Sequence, residues 1–220
     1  MTEPAESDEL RSDLPFQYRV YRPQQPSSET LVLLHGSGVD ETTLVPLARE
    51  IVPRATLVAV RGRIPQDDGL RWFARITPTR FEQHSIRTEA DAFASFIPAL
   101  AKQHSLDLAR TTFLGYSNGA NLVSSVMLLH PGLIDRAVLL RAMPVLDDVP
   151  ATDLSNAQIL VIAGAADITY GPFASALVAL LREHGAKVEA RTVAAGHEFG
   201  SDDADIVRAW LARPATSAVI

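Results

Sequence analysis

At 220 residues the chain is long enough for one sizeable core, and its make-up, 47% hydrophobic and 21% charged, is that of an ordinary soluble globular domain. A formal charge of -6 leaves no basic field to hold nucleic acid or an anionic membrane surface, and neither partner is expected. The absence of cysteine excludes disulfides, thiolate metal sites and cysteine nucleophiles, among them the cysteine-dependent dienelactone type of hydrolase.

The opening MTEPAESDELRSD is acidic and polar, with neither the basic start nor the apolar stretch of a secretory signal. Residues 1–14 therefore read as a disordered tail on a cytoplasmic protein, ahead of a single domain over 15–220. No apolar run approaches the roughly 18 residues of a membrane span, so no membrane insertion is expected. Phe16 to Arg22 alternates in the strand manner and, with the Pro, Gln and Ser loop after it, reads as a starting hairpin.

Thr30 to His35 (TLVLLH) is a continuous apolar run, the signature of a strand buried on both faces, and a helical pattern follows near Leu44 to Ile51. Thr56 to Arg61 repeats the buried-strand pattern. Gly62 to Gln83 is long and irregular, and Ile86 to His104 is helical with Pro98 inside it, which predicts a kink or a break. Then come the strand Thr112 to Tyr116, the helix Asn118 to His130, and the strand Arg136 to Arg141. The last elements are the strand Gln158 to Ala163, the helix Pro172 to His184 stopped by Gly185, the strand Lys187 to Val193 and the helix Asp203 to Leu211. This alternation implies βαβ units, a mostly parallel sheet with helices on both faces. Ligands bind such sheets at the carboxyl ends of the strands, where His35, Ser117, Asp167 and His197 all fall.

Thr111 to Leu122 (TTFLGYSNGANL) breaks from a β-branched run at Gly115, offers Ser117, and restarts after Gly119 as a helix former. That is the outline of a nucleophile elbow, a strained turn that lifts a serine Oγ clear of the backbone with glycines two before and two after it. On spacing alone the serine is equally a helix cap, so the chain must also supply a base and an acid. Of six histidines, His104, His130 and His184 end helices, His84 precedes one, and His35 lies ahead of the serine beside GSG. His197, in the glycine-flanked loop AAGHEFG after the last strand, is the candidate base. Asp167 leaves the strand QILVIA at its carboxyl end, whereas Asp135 belongs to the opposite edge; Asp147 and Asp148 remain the minority candidates for the acid. The order Ser117, Asp167, His197 is the one the α/β-hydrolase architecture uses.

LLHGSGVDE, LRWFAR, LGYSNGANL, IAGAADITYGP and AGHEF, in this order between Leu33 and Phe199, resemble the bacterial carboxylesterase/phospholipase family of α/β-hydrolases. This family is related to acyl-protein thioesterases, and the resemblance is strongest to its hydroquinone-resistance esterase subfamily. The family often has proline where this chain has Ile168, and threonine or leucine in place of Ser37. The resemblance implies an α/β-hydrolase fold and a metal-independent serine carboxylesterase that needs no cofactor, and the lack of any insertion long enough for a large lid suggests an open site. Its substrate would be a small-molecule ester of small to medium size; a homodimer is left open.

In that reading Ser117 attacks the carbonyl, His197 takes its proton and Asp167 orients the imidazole. The backbone N–H of Asn118, at a helix start, is one oxyanion donor, and that of Ser37 is the second by resemblance. His35 is read as structural, and Asn121 is assigned no catalytic part. Trp72 and Phe73 either wall the substrate pocket or pack a surface loop on the core; Met143 is a similar pocket candidate. Six arginines between 61 and 87 are either a solvated face or a local field favouring anionic esters. Two other functions compete: an acyl thioesterase or lysophospholipase-like hydrolase using the same triad, and a non-catalytic small-molecule binder on the same fold.

Overall fold

The computed structural model describes residues 8–66 and 69–213. Its first half runs β1 (Tyr18–Tyr21), β2 (Thr30–Leu34), α1 (Val45–Ile51), β3 (Thr56–Val60), β4 (Ile64–Gln66), β5 (Gly69–Arg71), β6 (Arg75–Thr77), β7 (Arg80–Phe81) and α2 (Gln83–His104). The second half runs β8 (Thr111–Tyr116), α3 (Asn118–Leu129), β9 (Arg136–Leu140), β10 (Gln158–Gly164), α4 (Ala174–Glu183), β11 (Lys187–Val193) and α5 (Ser201–Leu211). Seven strands form one sheet in the order β1-β3-β2-β8-β9-β10-β11, parallel except for β1.

The unbroken apolar runs are explained by two cores, one on each face of the sheet. In β2, Val32 and Leu34 join the core beneath α2, α3 and α4, while Leu31 and Leu33 join that beneath α1 and α5. Strands β9 and β10 split the same way, with Leu139 and Val161 on one face and Val138 and Leu160 on the other. A strand with both faces buried has no polar side to display, so strict alternation disappears.

Four expectations change. The starting hairpin does not form: β1 pairs antiparallel with β3, because both edges of β2 are taken by β3 and β8. Of the tail expected over 1–14, residues 1–7 lie outside the described residues, whereas the rest is tied down; Arg11 exchanges backbone hydrogen bonds of 2.8 and 3.1 Å with Tyr18. Helix α2 runs through Pro98 without a break. The ring sits on the exposed side, while Phe93, Phe96, Ile97 and Leu100 on the buried side supply packing that offsets the roughly 3 kcal/mol a helical proline costs. Finally, the stretch after β3 that reads as irregular forms two small antiparallel ribbons, β4 with β5 and β6 with β7.

Candidate active site

Ser117 stands between β8 and α3 with φ 52° and ψ −117°, a region that residues with side chains rarely occupy. The strain persists because the surroundings leave no alternative. A Cβ on Gly119 would sit 2.3 Å from the Leu34 carbonyl oxygen and 2.5 Å from that of His35; one on Gly115 would sit 2.6 Å from Cα and N of Ala120. Strands and helix thus touch backbone to backbone, and the serine stands at the carboxyl edge of the sheet, 6% exposed.

The structure brings Ser117, His197 and Asp167 together from three different connections. His197 Nε2 is 2.8 Å from Ser117 Oγ, and His197 Nδ1 is 2.7 Å from Asp167 Oδ2. The other Asp167 oxygen accepts the backbone N–H groups of Thr169 and Tyr170, each at 3.0 Å. Burial pushes the Asp167 carboxyl upward, but the Tyr170 N–H and the His197 imidazole outweigh it, and the group titrates below its ordinary 3.8. A buried carboxylate that stays ionised fixes the imidazole tautomer, with hydrogen on Nδ1 and the lone pair of Nε2 facing the serine. Asp147 and Asp148 take no part: the Asp147 N–H donates to the Gln83 side chain.

The His197 loop is held by a residue that sequence reasoning missed. Arg141, wholly buried at the end of β9, donates to the carbonyls on either side of His197, Gly196 at 2.9 Å and Glu198 at 2.7 Å. The same guanidinium forms a two-pronged ion pair with Asp203, at 2.8 and 2.9 Å. Asp203 in turn accepts the Gly200 N–H at 2.9 Å and so caps α5. The signal was present, as an arginine closing the apolar run RAVLL at the ligand-binding edge, but the carbonyls flanking His197 and the Asp203 carboxylate lie 55 to 62 residues away. Gly164 completes the arrangement, since a Cβ there would meet the Gly196 oxygen at 2.1 Å.

On the other side of Ser117, Gly36 packs against the elbow: a Cβ on it would lie 2.8 Å from the Tyr116 ring and 3.6 Å from Ser117 Cβ. This brings the backbone leading into Ser37 alongside Ser117. His35 is structural, as read. Its Nε2 accepts the Gly62 N–H at 2.9 Å, which leaves hydrogen on Nδ1 to donate to the Gly36 carbonyl at 2.6 Å. Burial holds this imidazole below its ordinary 6.5, in the neutral form that these bonds require. Glu41, also missed, is buried between Arg19 and Arg61, at 2.7 and 2.5 Å, and anchors the loop after Ser37 to the sheet edge.

The three predicted pocket residues are placed differently. Trp72 and Phe73 have no exposed surface, and Met143 is also buried. Trp72 donates its ring N–H to the His35 carbonyl and its backbone N–H to Asn118 Oδ1, both at 2.8 Å, so it braces the turn beneath the site. Met143 donates its N–H to Asn121 Oδ1 at 2.9 Å, which also gives Asn121 its role. Large apolar side chains near the edge gain more by joining the core than by lining water. The arginine cluster does not act as one unit either: Arg61 pairs with Glu41 and Arg63 with Glu89, and Arg87 donates to a carbonyl of Asp148. The charges of Arg71 and Arg75 do reach the site, where they bear on the Tyr170 hydroxyl. Among the described residues the exposed large apolar side chains are Val39, Ile76, Ile168 and Phe173, all on connections leaving the carboxyl ends of strands.

A mostly parallel sheet carrying a strained serine turn, with its histidine and aspartate after later strands, defines the α/β-hydrolase fold. No protein-family model matches the chain. A carboxylesterase from Mesorhizobium loti is 64% identical, superposes with a TM-score of 0.92, and is matched over 95% of this chain and 100% of its own. A Bacillus cereus carboxylesterase shares the fold at 24% identity and a TM-score of 0.84, over 90% of this chain and 93% of that one. Bacillus subtilis "Putative hydrolase MhqD" is 28% identical over 185 residues, 84% of this chain and 92% of that protein. The chain belongs to the bacterial carboxylesterase-type α/β-hydrolases. Among the described residues no helix is long and apolar enough to cross a membrane.

Proposed function

We propose that the protein hydrolyses carboxylic esters of small to medium size through an acyl-enzyme on Ser117. The observation that carries this reading is the continuous relay from Asp167 through His197 to the Ser117 hydroxyl, with contacts of 2.7 and 2.8 Å. Ser117 Oγ attacks the ester carbonyl as its proton passes to His197 Nε2, and Asp167 stabilises the imidazolium. The backbone N–H groups of Ser37 and Asn118 receive the negative oxygen of the tetrahedral intermediate, an interaction whose loss costs on the order of 3 kcal/mol per donor. His197 then protonates the departing alcohol, and water repeats the cycle on the acyl-enzyme. The apolar side chains exposed around this edge, and the short ribbons in place of a lid, suit a modest acyl group entering an open site.

A fluorophosphonate probe tests the reading. Ser117 is expected to be labelled in the native protein and the Ser117→Ala protein to remain unlabelled. A series of p-nitrophenyl esters of increasing acyl length, run beside acyl-CoA substrates, then sets the acyl preference and separates ester from thioester cleavage. Absence of labelling together with absence of turnover on every ester would overturn the proposal.

A further inference from the structure

Tyr170 touches every member of the relay. Its backbone N–H donates to Asp167 Oδ1 at 3.0 Å, and its ring stands edge-on to the His197 imidazole, centroids 5.0 Å apart and planes at 90°. Its hydroxyl interacts with that of Ser117. The residue is only 6% exposed, so the hydroxyl is directed inward by packing rather than free in solvent.

The sheet order fixes which side of the serine this is. Ser37 follows β2, on one side of β8, whereas Tyr170 follows β10, two strands away on the other side. The Ser37 donor therefore approaches the tetrahedral carbon from one side, and the histidine and tyrosine from the other. The leaving-group oxygen must come within hydrogen-bond reach of His197 Nε2, because that atom returns the proton. An oxygen placed there, beside the imidazole and Ser117 Oγ, arrives next to the Tyr170 hydroxyl.

We infer that Tyr170 is a further catalytic residue, donating a hydrogen bond to the leaving-group oxygen as the substrate's acyl carbon–oxygen bond breaks. The inference rests on the serine-esterase reading above. In acylation the Ser117 proton moves to His197 Nε2 and the Oγ–carbon bond forms. In collapse the oxyanion electron pair restores the carbonyl, the carbon–oxygen bond to the leaving group breaks, and the proton on Nε2 goes to the departing oxygen. Tyr170 keeps its own proton throughout and stabilises the charge that builds before that transfer is complete. Burial raises its pKa, and the charges of Arg71 and Arg75 and the Ser117 contact offset this only in part, so it stays a donor at neutral pH.

The test compares native protein with Tyr170→Phe, which keeps the ring against His197 and the backbone N–H to Asp167 and removes only the hydroxyl. Acetate esters of p-nitrophenol, phenol, trifluoroethanol and ethanol form a series of progressively poorer leaving groups. The kcat/KM loss should be about threefold or less for p-nitrophenyl acetate and roughly tenfold greater for ethyl acetate, steepening the dependence on leaving-group pKa. Fluorophosphonate labelling of Ser117 in the variant, where fluoride leaves readily, should proceed at close to the native rate. An equal loss across the series, or no loss, overturns the inference, because a structural role does not discriminate between leaving groups. Failure of the native protein itself to turn over any ester or to be labelled overturns the serine-esterase reading and the inference with it.

Discussion

The serine turn and the histidine loop lie 2.8 Å apart at their reactive atoms yet are built on opposite principles. The serine turn is made from backbone: Gly115 lets β8 touch α3, Gly119 lets α3 touch the end of β2, and this close packing, with the Ser117 N–H donating to the Leu140 carbonyl at 2.8 Å, holds Ser117 in a strained conformation. The histidine loop is made from side chains, with the buried Arg141 gripping carbonyls on either side of His197 and anchored by Asp203. A turn fixed by exclusion has almost no freedom to lose, whereas a loop fixed by a buried ion pair depends on two charges staying matched. In the proposed mechanism His197 shuttles protons while Ser117 holds its place, and the two are held by correspondingly different means.

The largest effect tests the nucleophile itself. Ser117→Ala should lower kcat on p-nitrophenyl acetate by on the order of a millionfold while leaving the far-ultraviolet circular dichroism unchanged, since the fold does not need the hydroxyl. Gly119→Ala probes the exclusion principle. Its Cβ would lie 2.3 Å from a main-chain oxygen, so the helix start has to move, and a displacement near 1 Å should cost about a hundredfold in kcat/KM.

Arg141→Met probes the other construction. Leaving Asp203 buried and unpaired should destabilise the protein by about 3–5 kcal/mol, measured by urea denaturation. Adding Asp203→Leu should recover most of that stability but little of the activity, because the carbonyls of Gly196 and Glu198 still lack their donor. Recovery of both together would show that the pair matters only to stability and would dissolve the contrast between the two regions.

The smallest effect is in pH dependence. The folded-state pKa of His35 lies below its ordinary 6.5, so its contribution to stability is complete above that value. It is lost as pH falls toward the folded pKa, since the unfolded chain takes up the proton first. Stability should therefore decline as pH falls below about 6.5 toward the depressed folded pKa, and His35→Gln should show a shallower decline there. Asp167 follows the same sign at lower pH: its stabilisation holds above 3.8 and fades as pH drops through its depressed folded value.

Much of this site was legible in the chain because its parts are local. Gly115, Ser117 and Gly119 carry the turn in one short segment, and Asp167 and His197 each follow a recognisable strand. Pocket lining was not legible, since an aromatic at a strand end looks the same whether it faces a ligand or, as with Trp72, sinks into the core and braces a turn. Nor was the role of Arg141, whose partners are remote in sequence, or that of Tyr170, three residues after an aspartate and otherwise unremarked.

The sequence by itself determined the strands of the main sheet and the helices, in their order, because apolar runs, breaker residues and turn glycines act over a few neighbouring positions. Only the tertiary structure decided which strand took the sheet edge, which arginines became internal ties and which tyrosine came to rest against the nucleophile. Those outcomes depend on competition among distant groups for the same buried space and the same hydrogen-bond partners, and that competition is settled when the layers close.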